Sequence, residues 1–400
     1  MIDLPRAVDG LVAAATSQVD PRALKGIVEK VLDGFEAAPE AEQSGALRKM
    51  GRALGKVDGR GAQILSLALG ALVEGGAAPE LAWPAIVSDL ANLLERATTF
   101  ASAVVKHSKD PHIDTAIERS GAVVAKKMPR EAEAWKATPS RCLAAVACLT
   151  KSKKLRSRVL KDVALQEACW PLSDAVAEVG YLLQALRIVD DETILVLAPD
   201  ARLGWRVEVD AMPSNAELYI LLADALVGDP RKGRLAGKRP DAKAVAAIRA
   251  GTHPPKSAAS AAVPFHLVSW TALEADGSLA PADSSETDHW IWMEGIPADI
   301  PPGPGKSRVV LVQDPPYARP VPVSPSFESL QPQVRIVAEL SGAEVERELV
   351  KLSRAAAKTK PAEARRPSSR TKKAAATPKK TTPKKTTAKK TTKKQARAKT

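Results

Sequence analysis

The sharpest constraint on what this chain can fold into is the place where its charge sits. From Lys358 to Thr400 there are 17 Lys and Arg against one acid, Glu363. That segment carries +16, whereas the whole 400-residue chain carries only +13. Residues 1–357 therefore hold 42 basic and 45 acidic residues, a net of −3. The basic segment has no large apolar side chain. It has nothing to bury that would offset the entropy of ordering it, and its like charges repel, so a disordered tail is expected. As an extended chain at about 3.1 Å per residue, it would reach roughly 130 Å. Any fold has to come from the other 357 residues.

A body of that length suits about two domains of ~150 residues. Its hydrophobic pattern changes once, near Asp190-Asp191-Glu192. Before that point the spacing is helical. Leu24, Ile27, Val28, Val31, Leu32 and Phe35 mark one stripe, with Asp20-Pro21 as N-cap and first residue. Leu47, Met50, Leu54 and Val57 mark another. Leu90, Leu93, Leu94, Ala97, Phe100 and Val104 mark a long helix. Further helices are expected at 113–126, 129–136, 140–150, 153–168 and 173–187.

After residue 190 strands enter. Residues 193–199 read as a buried strand. Trp205, Val207 and Val209 alternate with Arg206, Glu208 and Asp210, one face apolar and one polar. Strands are also expected at 264–270, 289–293, 308–312 and 333–340, and helices from Asn215 and over Ala242–Ala250. Ser341 and Glu344 form a capping box for a last helix. Ten prolines between Pro297 and Pro332 confine that stretch to loops or sheet edges. The expected class is mainly α with an α+β second domain: a helical domain over 1–190, a mixed α/β domain over 191–356, and a disordered Lys-rich tail over 357–400.

A dense polycation seeks a polyanion, and nucleic acid is the commonest in a cell. The tail repeats Lys pairs at a spacing close to five: Lys379-Lys380, Lys384-Lys385, Lys389-Lys390 and Lys393-Lys394, preceded by Lys372-Lys373. Thr377-Pro378-Lys379-Lys380 and Thr382-Pro383-Lys384-Lys385 resemble the TPKK units in the C-terminal arms of linker histones and of lysine-rich bacterial histone-like proteins. The resemblance covers about a tenth of the chain and does not extend to a linker-histone globular domain. It implies sequence-independent duplex binding, with Lys on phosphates. RNA, polyphosphate or anionic lipid would satisfy the same charge.

Two body segments are also basic. Lys151, Lys153, Lys154, Arg156, Arg158 and Lys161 fall within eleven residues that contain no acid. With Leu155, Val159 and Leu160 turned inward, the cations would form an outward face, either a secondary anion patch or simply a solvated one. Residues 230–240 put Arg231, Lys232, Arg234, Lys238 and Arg239 on a Gly/Pro loop.

Enzymatic signatures are lacking. Gly303-Pro304-Gly305-Lys306-Ser307 lacks the first glycine of a phosphate loop, because position 300 is Ile300, and a strand is expected after it rather than a helix. No HExxH, CxxC, GxSxG or GxGxxG occurs. Neither a metal site, a cofactor nor a catalytic residue is expected. Cys142, Cys148 and Cys169 read as buried thiols, and Trp290 and Trp292 as sharing one face of a strand. The start, MIDLPRAVDG, has no basic n-region, so the expectation is a cytoplasmic, nucleoid-associated protein. The leading functional reading is a non-enzymatic DNA-associated protein. The alternatives are a scaffold that the tail merely localises, and an enzyme without a recognisable motif.

Overall fold

The computed structural model describes residues 2–359 apart from 18–20, 58, 280–286, 316–319 and 329. Residues 1–359 form one compact unit. Its first half is helical: α1 (Leu4–Thr16), α2 (Pro21–Ala37), α3 (Glu40–Leu54), α4 (Gly59–Glu74), α5 (Pro79–Val87), α6 (Leu90–Ser108), α7 (Ile113–Lys127), α8 (Pro129–Lys151), α9 (Lys153–Val159), α10 (Val163–Cys169) and α11 (Ala177–Leu186). Helix α2 starts at Pro21 as the sequence predicts; Asp20, its expected cap, lies outside the described residues.

Helix α8 is the axis of this half and packs against α4, α6 and α11. The sequence suggests two helices parted by Pro139, but one helix runs through it. An interior proline costs about 3 kcal/mol. Offsetting it, Cys142, Ala144, Ala145, Ala147, Cys148 and Leu149 are all buried just beyond. Next to the proline, the Thr138 hydroxyl donates to the Ala134 carbonyl at 2.9 Å. The expected single helix over 153–168 is instead two. Asp162 accepts the Leu165 N–H at 3.1 Å and starts α10 afresh.

The second half is a mixed sheet with helices on both faces. It comprises β1 (Glu192–Ala198), β2 (Leu203–Asp210), α12 (Asn215–Leu226), α13 (Ala242–Ala250), β3 (Ser260–Ala262), β4 (His266–Ser269), β5 (Val309–Gln313), β6 (Pro320–Pro322), β7 (Gln333–Leu340) and α14 (Gly342–Thr359). The main sheet runs β4-β5-β1-β2-β7. Only β1 and β5 are parallel; the other pairs are antiparallel. The proline-rich β6 pairs with β3 in a separate two-stranded ladder, in keeping with proline's confinement to edges.

Period-two alternation divides the sheet's two cores. Ile194, Val196, Trp205, Val207, Val310 and Val312 pack with Leu218, Leu222 and Ile248 of α12 and α13. Leu195, Leu197, Val309 and Leu311 face the opposite way, toward Val345 and Leu352 of α14. Helix α14 lies so close that a Cβ on Gly204 would come within 2.9 Å of Val345 and Leu197. The capping box forms as expected: the Ser341 N–H donates to Glu344 at 2.8 Å.

Residues 289–293, expected as a strand, are not one. Trp290 makes a single bridge to Val268, and side chains of α12 take the carbonyls that a further strand would have used. Tyr219 Oη donates to the Ile291 carbonyl at 3.0 Å and Asn215 Nδ2 to that of Trp292 at 2.8 Å. The halves also interlock, since Phe327 and Leu330 pack into the helical core. Among the described residues, no helix is long and apolar enough to cross a membrane.

Candidate functional site

The ten tail lysines, Lys372, Lys373, Lys379, Lys380, Lys384, Lys385, Lys389, Lys390, Lys393 and Lys394, lie outside the described residues. The basic run on α9 lies within them. Ser152 caps that helix, accepting the Leu155 N–H at 3.2 Å while its hydroxyl donates to Glu80 at 2.6 Å. The Ser152 hydroxyl, together with the first-turn backbone, holds the Glu80 carboxyl below the usual range. Leu155 and Val159, one turn apart, are buried. Arg156 lies next to Leu155 and goes inward with it.

Arg156 is 6 % exposed and pairs with Asp190, which is 12 % exposed. Its Nε and Nη2 donate to the two Asp190 carboxylate oxygens, each at 2.7 Å. Its Nη1 donates to the Leu149 carbonyl at the end of α8, at 2.8 Å. Lys153 Nζ donates to Asp191 at 2.6 Å and to Asp210 at 2.7 Å. Partial burial works against the Lys153 charge, but the two carboxylates outweigh it and raise its pKa above the ordinary lysine value. Burial likewise opposes ionised Asp210, and the hydrogen bonds from Lys153 and the Asp191 N–H hold its carboxyl below the usual range.

This geometry corrects the expectation of a uniformly outward cationic face. Asp190 and Asp191 precede β1, and Asp210 ends β2. Two of the six cations are therefore spent tying the helical half to the sheet half. Lys151, Lys154, Arg158 and Lys161 remain exposed. Leu160, expected inward, is 56 % exposed. A cleft of about 450 Å³ between Lys154, Ser157, Leu160 and Ile188 is walled by the same Lys153, Arg156, Asp190 and Asp191.

The 230–240 loop is mostly paired too. Arg231 meets Asp229, Arg234 meets Glu339, and Arg239 Nε donates to the Val227 carbonyl at 2.6 Å. Residues Gly303–Ser307 form a tight turn, closed by the Gly303 N–H on the Ser307 carbonyl at 2.8 Å, that leads into β5. The two tryptophans pack on each other, with ring centroids 5.0 Å apart, and Trp290 sits edge-on to His266 at 4.6 Å. All three cysteines are free and buried. Burial pushes the thiols of Cys148 and Cys169 up to about 12, and that of Cys142 well above the usual value. None is poised as a thiolate at neutral pH. Among the described residues, no three His, Cys, Asp or Glu side chains gather as a metal site.

The acids that receive Lys153 and Arg156 are what sequence reasoning missed. Asp190 and Asp191 stand out there only as a change of period. Their signal was charge balance, since the densest cation run of the body faces acids at both ends of the β1–β2 hairpin. Comparison with protein-family models, curated proteins and solved structures finds no match for this chain.

Proposed function

We propose that this is a non-enzymatic nucleic-acid-associated protein, held on duplex DNA by the lysine pairs of its C-terminal segment and placed by them at the nucleoid. The observation that carries the reading is the segregation of charge, +16 in residues 358–400 against −3 in the rest. The pairing of Lys153 and Arg156 with carboxylates supports it, because it leaves the body with less free cationic surface than its sequence suggests. Paired lysines displace the counterions condensed on DNA, a sequence-independent source of affinity. If about eight lysines engage phosphates, log K should fall against log salt with a slope of about −7. Gel-shift titrations of full-length protein at several salt concentrations read that slope. A nearly salt-independent affinity would overturn the proposal, and so would strong preference for one sequence.

A further inference from the structure

Arg156 has a counterpart that is not satisfied. Arg141, on α8, is also 6 % exposed. It too points one nitrogen at the end of a helix: Nη1 donates to the Ile86 carbonyl at 3.1 Å, near the end of α5. In Arg156 the opposite edge of the guanidinium, Nε and Nη2, grips a carboxylate. In Arg141 the buried Nε has no acceptor, and Nη2 donates to none of the described residues. What lies beside Arg141 is an open cavity of about 500 Å³, lined by the end of α3, the start of α4, the α5–α6 corner and α8.

The acids lining that cavity form their hydrogen bonds elsewhere, although Asp89 attracts the Arg141 charge through space. Asp89 accepts from Arg96 at 3.1 Å and from Asn92 at 2.8 Å. Glu133 accepts from Lys136 at 2.8 Å. Arg130, a third arginine of the lining, is exposed and has no acid partner among the described residues. A guanidinium stays charged in a protein interior, and a buried one without a hydrogen-bonded counter-ion is costly: burial holds Arg141 below the ordinary arginine value despite the attraction of Asp89. The same fold provides a carboxylate for Arg156 and a cavity for Arg141.

We propose that this cavity binds a small organic anion, its carboxylate or phosphate group seated on the Nε–Nη2 edge of Arg141 with Arg130 as a second contact. The volume of about 500 Å³ is within the range of small-molecule sites. All the lining residues belong to the body.

The test is thermal melting of full-length protein in potassium phosphate and in potassium succinate, against potassium chloride of equal ionic strength. The two anions separate a phosphate from a carboxylate preference. A saturable rise in Tm of about 2–4 °C is expected with at least one of them. Arg141→Gln should abolish the rise. Arg141→Lys keeps the charge without the planar fork and should lose most of it. Arg130→Gln alters an exposed side chain, keeps the fold whatever happens at Arg141, and should require severalfold more anion for the same rise. An undiminished rise in these variants would place the anion elsewhere on the protein and overturn the site. The absence of any rise in the unaltered protein with both anions would overturn it too.

Discussion

Two of the chain's cation-rich segments differ in what accompanies their charge. Lys151–Lys161 has six cations in eleven residues; Lys358–Thr400 has 17 in 43. By density alone, both would be taken for anion-binding surfaces. The first, however, carries Leu155 and Val159 one helical turn apart, and those two draw the helix onto the core. Once there, Arg156 and Lys153 meet Asp190, Asp191 and Asp210, acids 34 to 57 residues away in the chain. The second has neither a large apolar side chain to anchor it nor more than one acid of its own. A cation run reports a partner, and apolar spacing within the run tells whether that partner is the same chain.

The largest expected effect in that contrast is at Arg156. Removing one member of a buried pair strands the other, and Arg156→Ala should cost about 3–5 kcal/mol in urea unfolding. Reversal to Glu should leave no stable fold, whereas an exposed solvated cation would tolerate it. A loss below about 1 kcal/mol for Arg156→Ala would return α9 to the class of surface charge. Lys153 is 41 % exposed. Lys153→Ala should therefore cost less than about 1 kcal/mol, a ranking that the same unfolding series checks.

Acid sharpens the contrast further. Asp210 and Glu80 are held below their ordinary pKa. Their contribution to stability is present above the ordinary carboxyl range and is lost as pH falls through the depressed values. Glu217 runs the other way. Burial raises its pKa, even though it accepts from Ser214 Oγ at 2.8 Å and from the Ser326 N–H at 2.9 Å. Its raised value favours the folded state at lower pH, a gain lost as pH rises through it. The destabilisation caused by Glu217→Gln should therefore be greater at pH 5 than at pH 7, read as a difference between the two unfolding curves. Equal costs at both pH values would remove the buried charge from the account of the sheet half.

The smallest effect concerns the cations of α9 that remain free. Replacing Lys154 and Arg158 together by Gln should leave the fold intact and, if the tail makes the phosphate contacts as proposed, change DNA affinity by less than about threefold. A tenfold loss in filter binding would bring α9 into the nucleic-acid interface.

What was legible in the sequence was local. The alternation of Trp205, Val207 and Val209 located β2 at Leu203–Asp210, and the Ser341–Glu344 box located the last helix. Residues 193–199 and 308–312 were long enough apolar runs to be found as β1 and β5. Non-local satisfaction was not legible. Pro139 breaks a helix by rule, but burial along α8 carries the helix past it. Trp290 and Trp292 look like strand residues, but Tyr219 and Asn215, more than 70 residues earlier, take the neighbouring carbonyls. Arg156 looks solvated until Asp190 is placed opposite it. The vacant edge of Arg141 has no sequence signal, because a missing acceptor shows only when the neighbours are in place.

The most direct measurement is the DNA affinity of full-length protein beside that of residues 1–359, at one moderate salt concentration. Cutting after Thr359 keeps the whole of α14, whose Ala356 is buried against the sheet. Full-length protein should bind duplex DNA at least about 100-fold more tightly than the shortened form, the scale expected when several phosphate contacts are lost. Both should melt within a degree or two of each other. Equal affinity of the two proteins would contradict the assignment of binding to the lysine pairs and move it onto the folded body.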